Sequence, residues 1–279
     1  MPWLLAACAP AAPEQRARPA MWLVSDADTK IYLLGTMHAL PARMSWEGGK
    51  VGDAVSAADE LVMELAPKEL AAAGGVFQEL APRTRPLAME TRLPPAAYAR
   101  FRTVEKDGGF DGDGLDDWAV LVLIGQQIAR RAELDPANGV ETGLTRHFRA
   151  TGKAIGGLET AREQLMIFET LDPQTQRALL TRAATGADTA VADVEAMTTA
   201  WASGDVAALE RMINEDVEAV PAARQAIIAD RNHRWAAWAR ARMARPGTVL
   251  LAVGAGHLVG DDGLPALLAA EGLAVRRVQ

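Results

Sequence analysis

The feature that most constrains the fold of this chain is a pair of short cassettes, Gly35-Thr36-Met37-His38 and Gly254-Ala255-Gly256-His257, each directly following an apolar run. The runs, Ile31-Tyr32-Leu33-Leu34 and Thr248-Val249-Leu250-Leu251-Ala252-Val253, are rich in residues that favour strands and have the length of buried ones. Two of the four histidines therefore stand where a central strand ends. The carboxyl ends of strands are where α/β folds build their sites.

The segments between the cassettes extend this pattern. Met21 to Val24, a polar turn, and Thr29 to Leu34 read as a hairpin whose second strand delivers the first cassette. A helix through Val51, Val55 and Ala58, then a strand Leu61 to Leu65 stopped by Pro67, implies a right-handed βαβ unit with Glu64 near a strand exit beside His38. Residues 68–150 read mostly as helix, and the apolar stretch Leu115 to Leu134 is expected as a central buried helix ended by Pro136 and Gly139. Lys153 to Glu159 reads as a third parallel strand, again with a carboxylate at its exit. Asp172-Pro173 opens further amphipathic helices that continue to about Met243. The strand at 248–253, the second cassette, a short helix near Leu264 to Leu268 and a strand from Leu273 to Val278 then form a second crossover unit. The expected architecture is α/β, a mainly parallel central sheet built from two terminal βαβ-type units. One domain spans residues 21–279, with a large helical insertion over about 68–150 and 160–245.

Composition narrows the function classes. With 279 residues, about half of them apolar, the chain can bury a sizeable core. The net charge of −7 and the scattered arginines give no basic patch, so nucleic acid is not an expected partner. The apolar run Trp118 to Ile124 is too short to cross a bilayer. The single cysteine excludes an intramolecular disulfide and any site built on several thiolates. Its setting, Leu5-Ala6-Ala7-Cys8, matches a bacterial lipobox. Residues 1–20 are accordingly expected to be a signal remnant and an Ala/Pro-rich tether without a fold of its own. The protein is then a periplasm-facing lipoprotein of the cell envelope, touching the membrane only through a lipid on Cys8.

Four residues lead the chemistry. His38 and His257, approached across the glycines Gly35, Gly254 and Gly256 and beside Thr36, combine with Glu64 and Glu159 into a set that suits a divalent ion such as manganese, cobalt or zinc. The same set suits general acid–base hydrolysis without metal. In Asp230-Arg231-Asn232-His233-Arg234, Arg231 is placed to point inward with Asn232 near it, whereas His233 and Arg234 belong to a solvated face. His147 reads as an exposed helix residue. Gly254-x-Gly256-x-x-x-Gly260 resembles a dinucleotide loop, but its spacing is off by one, and the following strand ends in Arg276-Arg277 rather than an acidic ribose ligand. No P-loop, His-Glu-x-x-His or Gly-x-Ser-x-Gly sequence occurs.

From about Trp22 to Val278 the chain resembles the TraB/GumN family, related to the Tiki proteases and more distantly to erythromycin esterases and the haem-binding ChaN group. The resemblance is carried by Tyr32 to His38, Ala58 to Glu64, Gly157 to Thr160 with Glu163-Gln164, Asp230 to Asn232, and Val253 to Gly260 with Gly263-Leu264. It implies an α/β hydrolase-like fold unrelated to Ser-His-Asp enzymes, whose site joins the paired Gly-x-x-His motifs to a Glu. In the Tiki proteins that site looks like a metal-dependent peptidase. Carried over, His38, Glu64 and His257 hold the metal, and Arg231 supports them or anchors a substrate carboxylate. Gly139-Val140-Glu141 stands where the family often has Gly-Val-Asp, which gives Glu141 an acidic role on a longer side chain. The implied function is a metal-dependent hydrolase, most simply a peptidase, acting on a peptide or small molecule. The alternative is a lipoprotein that captures haem, iron or a peptide in the same pocket without turnover. Mass analysis of membrane-derived protein is expected to find Cys8 acylated and N-terminal; an unmodified Cys8 overturns the anchor.

Overall fold

The computed structural model describes residues 15–217 and 220–279, so Cys8 and the expected anchor lie outside the described residues. The strands are β1 Gln15–Arg16, β2 Met21–Ser25, β3 Thr29–Thr36, β4 Met44–Ser45, β5 Glu60–Leu65, β6 Ala154–Glu159, β7 Gly247–Gly254 and β8 Val275–Arg277. The helices are α1 Gly49–Ala57, α2 Pro67–Leu80, α3 Met89–Arg92, α4 Pro95–Gly108, α5 Asp117–Arg131, α6 Val140–Ala150 and α7 Ala161–Glu169. They continue with α8 Pro173–Thr185, α9 Ala190–Ser203, α10 Val206–Val217, α11 Pro221–Arg224, α12 Asp230–Met243 and α13 Leu264–Ala270.

Six strands form the main sheet in the order β6-β5-β7-β3-β2-β8. The run from β6 to β3 is parallel throughout, and β2 is antiparallel to β3 as the hairpin requires. This confirms the α/β class and the mainly parallel sheet, and corrects two details of connectivity. β7 inserts between β3 and β5, so the first βαβ unit does not place its two strands side by side. β8 does not join β7 but crosses to the far edge, where it pairs antiparallel with β2. The insertion makes neighbours of the two cassettes instead: Gly35 pairs in register with Val253 and Thr36 with Gly254.

Side-chain alternation assigns the two faces. Ile31 and Leu33 of β3, Val249, Leu251 and Val253 of β7 and Val62 of β5 pack with Trp235, Ala236 and Ala239 of α12 and with α13. Leu34, Leu250, Ala252, Leu61 and Met63 pack on the opposite face with α1, α6 and Trp201 of α9. With both faces covered, the parallel strands read as continuous apolar runs, which is how they were legible. A separate helical core joins α3, α4, α5 and α8. There α5 buries one stripe, including Trp118, Val120 and Ile124, while Leu121 to Leu123 are only half-buried; it is a member of the helical layer and not the central helix expected. The tether also needs correction, because its last residues are docked. Gln15–Arg16 pairs with Met44–Ser45, and the amide of Arg18 donates to Ala202 O at 2.6 Å.

One backbone contact ties the helical insertion to the first cassette. The amide of Val140 donates to Met37 O at 3.1 Å, and a Cβ on Gly139 would stand 2.1 Å from His38 O. Only glycine lets the start of α6 seat against that carbonyl. Gly139→Ala is therefore expected to cost about 1–3 kcal/mol through forced backbone displacement, measured by urea denaturation. Gly125→Ala, at an α5 position where a Cβ meets nothing within 4 Å, is expected to be neutral or stabilising by up to about 1 kcal/mol.

Candidate functional site

Strand parity divides the ionisable residues at the carboxyl end of the sheet. Thr36 continues the Leu34 face, which α6 covers, whereas Glu64 continues the Val62 face, which α12 covers. Two clusters result, one on each face.

On the α6 side, the Thr36 hydroxyl donates to Glu141 Oε1 at 2.5 Å and His38 Nδ1 lies 2.8 Å from the same oxygen. Glu141 sits in the first turn of α6, so the contact between Gly139 and the cassette backbone is what aims it. The carboxylate accepts, so Nδ1 carries a proton, and among the described residues Nε2 has no hydrogen-bond partner. The His38 side chain is 72 % exposed. Glu141, chiefly through its charge and then through the hydrogen bond, raises the imidazole to about 9. Burial pushes the Glu141 carboxyl up, but the His38 charge and the bonds from His38 and Thr36 outweigh it and hold the group below its ordinary value.

On the α12 side, the centre is a guanidinium. Arg231 Nη2 donates to Glu64 Oε2 at 2.6 Å and to Glu159 Oε2 at 2.8 Å, and Nε donates to Glu159 Oε1 at 3.0 Å. Nη1 donates to Ile227 O at 3.3 Å and to His257 Nε2 at 3.0 Å. Every N–H of the guanidinium is thereby engaged. The residue that presents it follows a five-residue π-helical segment, Gln225–Ala229, which supplies the Ile227 carbonyl. Asn232 Nδ2 donates to Asp262 O at 2.8 Å, so its Oδ1 faces His257 Nδ1 at 2.7 Å and must accept. His257 is consequently the Nδ1–H tautomer with its Nε2 lone pair turned to Arg231. Burial pushes its pKa down and the charges of Arg231 and His38 assist, leaving it at about 4 and neutral.

Glu64 is extensively bonded as well, with three of its about four lone-pair sites taken. Its Oε1 accepts from the Gly254 amide at 2.8 Å, and its Oε2 accepts from Gln164 Nε2 at 2.9 Å as well as from Arg231. Burial favours the neutral acid, yet Arg231, the two histidines and the Gly254 amide overcome it and hold the carboxyl at about 2. The glycines of the second cassette permit these approaches: a Cβ on Gly254 would sit 3.2 Å from Glu64 Oε1, and one on Gly256 would press on Ile213.

These bonds decide which expected roles the side chains can perform. Among the described residues no group of three or more His, Cys, Asp or Glu is arranged to hold a metal ion. The expected ligand His38 is bonded to Glu141 rather than to the other two, although the charges of His38, His257 and Glu64 act on one another. The Nε2 lone pair of His257 is spent on Arg231, and three of about four lone-pair sites of Glu64 are taken by Arg231, Gly254 and Gln164. A manganese, cobalt or zinc ion does not fit this donor set, because a tethered cation already stands between the carboxylates. Nor is Arg231 an anchor for a substrate carboxylate, since it has no spare donor. Of the two cassette histidines, only His38 offers a free nitrogen. His233 and Arg234 are exposed as expected, while His147 is half-buried and packs edge-on against Phe148. Two contributors escaped sequence reasoning by chemistry: Gln164, and Trp235, whose ring lies 4.6 Å from the Arg231 guanidinium and 4.5 Å from the His257 ring. The available signals were the helical spacing from Arg231 to Trp235 and the place of Gln164 among the residues that carry the family resemblance.

If Arg231 stands in for a cation, its removal should create a metal site. Arg231→Ala is expected to lose about 3–5 kcal/mol by stranding buried carboxylates. Part of that stability is expected to return on addition of zinc or manganese, read by thermal denaturation, whereas the parent's midpoint does not move. A metal-dependent rise in the parent overturns the assignment.

A search of protein-family models matches residues 20–277 to the TraB/PrgY/gumN family. No curated protein and no solved structure matches the chain.

Proposed function

The chain belongs to the TraB/PrgY/gumN family, and from that premise we propose that it is a hydrolase of amide bonds in peptides, with His38 as the base that takes a proton from water. The observation that supports this reading is the exposed His38 ring, oriented through Nδ1 by Glu141 and carrying a free Nε2. A carboxylate on one imidazole nitrogen fixes the tautomer and leaves the other as a proton acceptor, the arrangement general-base catalysis requires. Arg231, Glu64, Glu159 and His257 serve as positioning residues. They hold the ends of β5, β6 and β7 in place beside the His38 loop and supply a fixed, charge-balanced wall. The chemistry proposed is carried by the protein's own side chains, and no step is routed through a metal. The match of Leu5 to Cys8 to a lipobox supports, within the same proposal, a position on the periplasmic side of the envelope.

The pH dependence carries a definite sign. His38 must be neutral to accept a proton, and Glu141 lifts it to about 9. The rate is therefore expected to climb with pH through neutrality and level off above about 9. Cleavage of a peptide library is expected in the parent and reduced by about 100- to 10,000-fold in His38→Ala, which removes an exposed ring and leaves the fold intact. Glu141→Gln is expected to lower the plateau and to shift the ascending limb toward the ordinary imidazole value. Cleavage that persists in His38→Ala, or haem absorbance on reconstitution that His38→Ala abolishes, replaces this reading with a different base or with binding.

A further inference from the structure

The two edges of the main sheet are treated differently. β8 is only three residues long and presents Arg276 and Arg277, the charge and brevity by which an edge discourages further pairing. β6, at the other edge, has six residues, Ala154-Ile155-Gly156-Gly157-Leu158-Glu159, with no proline and no charge before the buried Glu159. It pairs with β5 alone, and among the described residues no backbone group of β6 bonds to anything outside that ladder. Ala154 and Gly157 are exposed. An undefended edge of this kind is a template for strand addition.

A groove opens beside the carboxyl end of the same strand. Its cavity of about 430 Å³ has Leu158 and Glu159 at its base, Met166 of α7 on one side and Trp235 and Trp238 of α12 on the other. The volume takes one large or two medium side chains, within the usual range for ligand pockets. Glu159, only 4 % exposed, joins the groove to the ionic centre, binding Arg231 from within and Arg234 at the rim at 3.3 Å. Trp235 does the same on the apolar side, lining the groove while its ring contacts Arg231 and His257.

We propose that the open edge of β6 and this groove together bind an extended peptide, which adds as a further strand and seats an apolar side chain between Met166, Trp235 and Trp238. The proposal rests on the amide-hydrolase reading and adds its substrate recognition. A strand added outside β6 lies four strand spacings from β3, roughly 19 Å, which is about six residues of extended chain. The paired segment thus runs alongside β6, and the chain turns at the carboxyl end of the sheet and crosses the ends of β6, β5 and β7, about six residues, to bring a bond to His38.

The test uses an unbiased library of twelve-residue peptides panned on His38→Ala protein, which binds without turnover. Selected peptides are expected to share one apolar or aromatic residue, and hydrogen exchange is expected to slow at amides of residues 154–159 on binding. Thr170→Trp, at the exposed rim, fills the groove without touching the core and is expected to weaken binding at least 10-fold with an unchanged melting midpoint. Replacing the shared apolar residue by alanine in the peptide is expected to do the same. Failure to select any peptide, binding without protection of β6, or indifference to Thr170→Trp each overturns the proposal. So does protection of β6 by self-association, seen as a dimer in sedimentation. Binding that meets every expectation while the parent cleaves none of the selected peptides leaves the groove standing and removes the hydrolase reading; cleavage without protection of β6 does the reverse.

Discussion

A buried guanidinium shared by two carboxylates holds the carboxyl end of the sheet together. Burying either Glu64 or Glu159 without a counter-charge costs several kcal/mol, and Arg231 offsets both at once through a fork that reaches the ends of β5 and β6. Its Nη1 reaches further, to His257 beyond the end of β7. Three parallel strands are thus tied at one end by a single side chain of α12. The arrangement also dictates that α12 packs where it does, since Trp235, Ala236 and Ala239 of the same helix bury against Val62, Val249 and Leu251.

That tie breaks the apparent equivalence of the two cassettes. Both deliver a histidine past the end of a parallel strand, and the strands are adjacent and in register. Their surroundings then diverge. His257 is buried, neutral and bonded at both nitrogens; His38 is exposed, charged at neutral pH and bonded at one. The difference lies in what covers each face: α12 brings Asn232 and Arg231 to one, and α6 brings Glu141 to the other. Similar sequence words therefore yield a clamp and an exposed imidazole.

The helical insertion is the source of this division of labour. Gly139 lets α6 start directly on the His38 carbonyl and so places Glu141, and the π-helical segment before α12 supplies the carbonyl that completes the hydrogen bonds of Arg231. Away from the site, the helices have their own polar anchor, with Arg92 and Arg177 gathered on Asp117 at the start of α5. A wrong volume at Gly139 therefore reaches His38 through backbone contacts alone.

The six strands of the main sheet, the hairpin, both cassettes at strand exits and the inward turn of Arg231 were readable from local pattern, whereas the short pair β1–β4 was not. Apolar runs bounded by glycine and proline report strands, and side-chain periodicity reports which residues of an element share a face. Glu141 was visible as an acidic group of uncertain partner, because its distance to His38 depends on a helix that begins only at Val140, far along the chain. Strand order was not readable: nothing in 31–36, 60–65 or 247–254 says that the last of these inserts between the first two. Nor was the bonding of Arg231 to Glu64, Glu159 and His257, because a hydrogen-bonded set is defined by where lone pairs point, and residue types do not give directions. The sequence by itself determined the α/β class, the two histidines at strand ends and the acidic and basic residues available to them. Only the tertiary structure decided that Arg231 neutralises Glu64 and Glu159 and that His38 alone keeps a free nitrogen, because pairing across the sheet is set by which helix covers which face.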